Sequence, residues 1–319
     1  MAVLAAAGPP APPPPAPRRP VRRALKYLVA IGSVCAVGTV GVVVGLNRLT
    51  GGGPVTERCT AELDGSDWFL SPGQADNAAL VAGTAVARGL PARATTIGLA
   101  TALQESKLIN IDHGDRDSVG LFQQRPSQGW GTAEQIMDPV YSTNAFYDVL
   151  VKVEGYEDMA VTDAAQTVQR SAFPDAYAQH ETRSRAWASA LTGNSRGVLS
   201  CELAPVADGD QRAPDAARDV VAGRLGRDLG LAPATEAADP SRQDPASATV
   251  TVDATPLTPD DPARGAWATG QWAVATAQAT QAIEVQVGDQ VWLRQEAGWL
   301  PAASRLPPGE VRITVDAAE

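Results

Sequence analysis

Twenty consecutive residues without a charge, Tyr27 to Leu46 (YLVAIGSVCAVGTVGVVVGL), constrain this chain before any other feature does. At 1.5 Å per residue a helix of that length measures about 30 Å, the thickness of a bilayer's hydrocarbon core. Arg18, Arg19, Arg22, Arg23 and Lys26 precede the run, and Arg48 alone follows closely. This asymmetry predicts a single transmembrane helix over 27–46, a single pass through the cell membrane with the N-terminus cytoplasmic and the bulk of the chain extracytoplasmic. A cleaved secretory signal is the rival reading. Its apolar region runs about 7 to 15 residues before an A-x-A-like site, and NRLTGGGPVT offers no such site. Residues 1–26, proline-rich and then basic, are expected to be a disordered tail, and 47–58 a linker.

The formal net charge of −10 becomes about −15 once the five positive charges of the tail are set aside. Electrostatic attraction to nucleic acid is therefore not expected, and a partner is recognised by shape and hydrogen bonds. Of the three cysteines, Cys35 lies in the apolar run, while Cys59 and Cys201 bracket the next segment. In an oxidising compartment those two can pair. Closing so long a loop is worth at most about 5 kcal/mol by chain entropy.

Between the two cysteines the helix signals are explicit. Ser71-Pro72-Gly73-Gln74 supplies an N-cap, a first-turn proline and a capping-box glutamine, and Gly89 and Pro91 end that helix. A second helix is expected from about Ala92 to Leu108 and carries Glu105 among Ile97, Leu99, Ala100 and Leu103. Thr132 to Gln135 reads as another capping box. Further helices are expected from Asp138-Pro139 to about Val153, from Thr162-Asp163 to about Ser171, and from Pro174 to Gly193. Strand-like alternation is nearly absent, which predicts a mainly α chain, with an α-helical domain over 59–201. Residues 202–212 read as a linker. Residues 213–319 read as a small α+β domain of unassigned role: a helix over 214–229, a strand at TVTVD, a helix over 262–280, a hairpin turning near Gly288-Asp289 and a last strand at EVRITVD. Trp267 and Trp272 are expected in its core.

The run ALQES followed by SVGLFQQ resembles the E-S…G-L-[MF]-Q arrangement of the lysozyme-like superfamily, which contains goose-type lysozymes and soluble lytic transglycosylases. The longer run GDRDSVGLFQQRPSQGWGT…DPVYSTNAFY…AAQTVQRSAFPDAYAQHE is similar to a variant of that domain in bacterial cell-wall proteins and phage tail proteins. The resemblance covers about residues 68 to 192. It implies an α-helical lysozyme-like fold, a sugar-binding cleft, and Glu105 as the catalytic acid that cleaves the β-1,4 bond between N-acetylmuramic acid and N-acetylglucosamine in peptidoglycan. Where the family carries an adjacent Tyr-Asn late in the domain, this chain has Val168-Gln169-Arg170-Ser171, leaving Gln169 and Arg170 as candidates for that role.

Chemistry agrees with a glutamate in this place. A glycosidic oxygen leaves poorly unless a carboxyl protonates it, and apolar surroundings raise a carboxyl's pKa toward the working pH. A lytic transglycosylase needs that one carboxylate alone. A hydrolase would ordinarily use a second, for which Asp115 and Asp117, and near them Asp112, are candidates. Ser118, Gln123, Gln124 and Tyr177 are candidate substrate contacts, and Trp130 can stack on a pyranose face. His113 and His180 with these aspartates match neither a zinc nor an EF-hand spacing, so neither metal nor cofactor is expected. One span builds no substrate path, which excludes a transporter as the sole activity. A non-catalytic glycan-binding or envelope scaffold is the alternative function.

Overall fold

The computed structural model describes residues 57–170, 174–233 and 247–318. Its first element is a hairpin. Strands β1 (Arg58–Leu63) and β2 (Ser66–Leu70) are joined by Asp64-Gly65, both at positive φ, which is the geometry favoured in two-residue hairpins. Strand β3 (Leu199–Glu202) pairs with the other edge of β1, so the order is β2-β1-β3, antiparallel throughout. Cys59 lies directly opposite Cys201 in this register. The two form a disulfide between residues 142 positions apart, and both are fully buried.

The helices follow in chain order. Helix α1 (Pro72–Ala87) starts with the expected reciprocal box between Ser71 and Gln74, and α2 (Ala92–Ser106) follows after a short turn. Helix α3 (Ala133–Met137) carries the Thr132–Gln135 box, and α4 (Pro139–Leu150) is capped by Asp138. Helix α5 is Val161–Gln169 and α6 is Glu181–Leu191. Residues Pro174–His180 form a 3-10 turn in place of the first turns of the helix expected there.

Beyond β3 come helix α7 (Pro214–Leu229), strand β4 (Ser247–Asp253), helix α8 (Pro262–Ala275) and the short α9 (Ala277–Thr280). Strands β5 (Ala282–Val287), β6 (Gln290–Leu293), β7 (Trp299–Pro301) and β8 (Glu310–Asp316) complete a second antiparallel sheet of order β4-β8-β5-β6-β7.

The expectation of a mainly α chain is corrected here. The chain is not mainly α, because two antiparallel sheets are integral to it and one of them closes the first helical part. The single transmembrane helix over 27–46 falls outside the described residues, and among the described residues no helix is long and apolar enough to cross a membrane.

Val55–Glu319 is one compact unit, and a single apolar core runs from Cys59 to Ala317. Helix α8 explains how. Its residues from Gly265 to Ala275 are buried without interruption, since it lies between the second sheet and the earlier helices. A polar side chain, Gln271, is buried at the centre of this junction. Its Oε1 accepts from the backbone N–H of Val198 (3.1 Å) and Leu199 (3.0 Å), and its Nε2 donates to the carbonyls of Ala190 (2.6 Å) and Ser195 (2.9 Å). Arg294 likewise ties separate segments together, donating to the carbonyls of Ala204 (2.6 Å), Ala277 (2.9 Å) and Ala282 (3.1 Å) while only 6% exposed. On the other side, Asp228 of α7 is buried against Arg227 and accepts from the indole N–H of Trp272 at 3.0 Å.

Truncating Gln271 would leave the N–H groups of Val198 and Leu199 and the carbonyl of Ser195 without this partner, and the carbonyl of Ala190 with the N–H of Gly193 alone, at about 1 kcal/mol or more for each group left unpaired. Gln271→Ala is expected to lower the unfolding free energy by about 3 kcal/mol or more. Urea denaturation followed by circular dichroism measures this, and a loss below about 0.5 kcal/mol would show that the junction does not depend on the glutamine.

Candidate functional site

Glu105 occupies the last turn of α2, and its position is fixed by how that helix ends. Lys107 (φ 57°) and Leu108 (φ 58°) are both left-handed and turn the chain sharply away. The N–H of Leu108 reaches back to the carbonyl of Ala102 (3.0 Å) and that of Lys107 to Leu103 (3.1 Å), which satisfies the helix's terminal carbonyls. The carbonyls of the turn itself are held by α1: Gln74 Nε2 donates to Lys107 O (2.8 Å) and Asn77 Nδ2 to Leu108 O (2.9 Å). Ser106, the next residue after Glu105, is buried, and its Oγ lies 2.7 Å from the carbonyl of Leu121 and 3.1 Å from that of Ala102. The Glu-Ser pair is thereby tied to the Gly120-Leu121-Phe122-Gln123 segment.

The Glu105 side chain is half-buried. Tyr177, itself fully buried, donates its hydroxyl to Glu105 Oε1 at 2.6 Å. The Gln169 side chain also hydrogen-bonds this carboxyl, while its Nε2 donates to the carbonyl of Phe122 at 2.6 Å. Burial pushes the Glu105 carboxyl above the ordinary glutamate value, and the Tyr177 and Gln169 bonds pull it part of the way back. The result is a proton carrier held in one orientation by two groups that arrive from distant parts of the chain.

The loop after α2 is built around small contacts. Gly114 has no room for a side chain, because a Cβ there would lie 1.8 Å from Gln123 Oε1 and 2.4 Å from Ser118 Oγ. Ser118 is buried, with its Oγ 2.8 Å from Asp115 O and 3.1 Å from Gln123 Oε1. Gln123 is left-handed (φ 49°) and half-buried. Gln124 pairs with Val119 in an isolated bridge, is 1% exposed, and donates to Ser142 O at 3.0 Å. It therefore packs the loop onto α4. Trp130 is half-buried against the core, and its carbonyl accepts from Tyr141 Oη at 3.1 Å.

The structure brings Glu105, Gln169 and Tyr177 together and places the aspartates otherwise. Asp117 accepts from Arg125 Nε (2.8 Å), Ser127 N (2.8 Å) and Ser127 Oγ (2.9 Å). These bonds, the arginine's foremost, hold its carboxyl well below the usual range. The Asp115 side chain is 90% exposed and 3.8 Å from Arg116. Asp112 is exposed beside His113 at 3.0 Å. Arg170 caps α5 in a left-handed conformation and is exposed.

Sequence reasoning did not pick out Gln104, the neighbour of Glu105 in the chain. Its Oε1 accepts from Gln179 Nε2 and lies within hydrogen-bond distance of His180 Nε2, both at 3.1 Å. Burial, with Arg183 second, lowers the His180 pKa. Nor did it find the carbonyl clamps of Gln74 and Asn77. The former served only as a capping-box residue in the sequence, with no local sign of its second partner.

The chain matches no protein-family model, and comparison with curated proteins gives no match.

The electrostatics give two expected outcomes. A carboxyl with a raised folded-state pKa contributes stability that is full below its ordinary value of about 4.5 and is lost as pH rises through the folded value. Glu105→Gln should therefore be more stable than the native chain at pH 7, and the advantage should vanish below pH 4.5, as read from urea midpoints across pH. Tyr177→Phe removes a bond that favours the ionised form, so the Glu105 pKa should move up in a carboxyl-carbon NMR titration. A downward or absent shift would mean that Tyr177 does not set this carboxyl's ionisation.

Proposed function

We propose that this protein cleaves the β-1,4 glycosidic bond between N-acetylmuramic acid and N-acetylglucosamine in peptidoglycan, with Glu105 as the single general acid and base. The observation that carries the reading is a half-buried carboxyl whose pKa burial raises and whose orientation Tyr177 and Gln169 fix. A raised pKa enlarges the share of the carboxyl that carries its proton at a given pH, which is the form that delivers a proton to the leaving oxygen. The similarity of ALQES and SVGLFQQ to the lysozyme-like superfamily supports the same assignment.

The placement of the other carboxylates favours the lytic transglycosylase route over hydrolysis. Asp117 is committed to Arg125 and Ser127, and Asp115 is turned out to solvent, so neither is offered as a base for water. In the one-carboxylate route Glu105 first gives its proton to the glycosidic oxygen as that bond breaks. The resulting carboxylate then takes the proton from the muramyl 6-hydroxyl as its oxygen bonds to C1, which closes an anhydro ring and restores the acid. No water is consumed, and the proton returns to where it began. The Cys59–Cys201 disulfide supports an oxidising, extracytoplasmic setting, where peptidoglycan lies.

Purified cell-wall sacculi incubated with the protein should release soluble muropeptides with anhydro ends, identified by mass spectrometry. Reducing ends would favour hydrolysis instead. Glu105→Gln keeps the volume and the Tyr177 bond but has no proton to give, so turnover should fall by a factor on the order of 10² or more while sacculus binding persists. A folded Glu105→Gln protein with undiminished turnover would end the assignment, and a native protein that binds sacculi without cleaving them would favour the scaffold.

A further inference from the structure

A concave site lies around the N-terminal end of α8, with a volume of about 260 Å³. Part of its lining is apolar: Trp267 of α8, Val287 at the end of β5, and Leu306 and Pro307 from the loop before β8. Trp267 is held edge-to-face on Trp299 at 4.9 Å. The walls are fastened by backbone bonds, from Leu306 N to Gly288 O and from Ala302 N to Asp289 O, each 2.9 Å. The cleft is therefore largely preformed, as small-ligand sites usually are.

Two guanidinium groups stand on its rim, Arg196 from the loop after α6 and Arg305 from the loop before β8. They lie 3.8 Å from Asp261 and 3.9 Å from Asp289. Those separations are beyond hydrogen-bond distance, so neither carboxylate consumes the planar donor fork of its arginine. Ala263 lines the cleft from the first turn of α8, where the Asp261 carboxylate already caps the helix by accepting from the N–H of Arg264 at 3.1 Å, so an incoming anion depends on the two arginines. Asp289 sits on the same rim and, like the chain's net charge of −10, disfavours a polyanion while accepting an ammonium or an amide N–H.

We propose that this cleft binds the carboxylate end of a peptide, with the terminal carboxylate on Arg196 and Arg305 and small apolar side chains over Trp267. The volume is below the roughly 300–1,000 Å³ of pockets that enclose a whole ligand, so the site takes the end of a chain. On the reading that the protein acts on peptidoglycan, the occupant is the free end of a stem peptide. The molecule then holds both covalently linked components of that polymer, glycan at Glu105 and peptide here.

The test is a titration of the full chain with a synthetic stem pentapeptide bearing a free C-terminal carboxylate, read from the Trp267 indole NMR signal, which Trp267→Phe identifies. The same peptide with a C-terminal amide should bind at least tenfold more weakly. Arg196→Gln/Arg305→Gln, which changes two exposed side chains, should lose at least tenfold in affinity for the acid with an unchanged melting temperature. Equal binding of acid and amide, full binding by the double variant, an unmoved Trp267 signal, or displacement by poly(glycerol phosphate) at lower concentration than by peptide would each overturn the proposal. The readout is binding, so it separates from the glycosidase reading. A protein that cleaves sacculi without binding the peptide sinks the cleft alone, and one that binds the peptide without cleaving sinks the glycosidase alone.

Discussion

The burial of α2 on all its faces sets the terms for everything packed around it. From Ala94 to Leu103 every residue is buried, which demands a sequence with little side-chain bulk, and ARATTIGLATAL supplies it. Neighbouring elements approach closely as a result. Tyr147 of α4 lies against Gly98 and sends its hydroxyl to the carbonyl of Val81 at 3.1 Å, so three helices meet over one small residue. A helix so enclosed has no freedom to shift along its axis, since interiors are packed at crystal-like density. The carboxyl on its last turn inherits that rigidity. Preorganisation of this kind is what general acid chemistry requires, because a donor misplaced by an ångström loses most of its advantage.

The second half of the chain extends the same logic through hydrogen bonds. Gln271 and Arg294 carry seven bonds between them to backbone groups of other segments. Each would be costly if left partly satisfied, since an unpaired buried polar group loses its water without compensation. With partners complete, the same groups fix the register between α8, the end of α6 and the start of β3. Leucines at these positions would supply apolar contact without specifying which carbonyl faces which donor.

Legibility from sequence followed range of interaction. The capping boxes at Ser71 and Thr132 are written in four consecutive residues, and they appear where those residues predict. The first sheet was missed because RCTAEL, SDWFL and LSCE are short, and β3 meets β1 only after the whole helical segment has folded between them. One local sign was present, Asp64-Gly65, whose two positive φ angles make it a hairpin turn. Of the site, Glu105 stood out through its apolar neighbours and its resemblance to a known motif. Its link to Tyr177 spans 72 positions, and no periodicity or spacing encodes it. Gln124 shows the converse: an amide read from sequence as a ligand contact is turned inward by the Val119 bridge and spent on the carbonyl of Ser142.

The disulfide has a mechanical meaning that follows from its register. Because Cys59 and Cys201 are direct partners on adjacent strands, the segment between them is a covalently closed ring that begins and ends at one point. Tension applied to the chain before Cys59 and after Cys201 passes across the sulfur–sulfur bond and bypasses α2, α5 and the loop between Ile109 and Trp130. Such a shunt keeps the alignment of Glu105, Gln169 and Tyr177 independent of the load. Reduction of that one bond would route the same force through the helices, and the site would become sensitive to pulling.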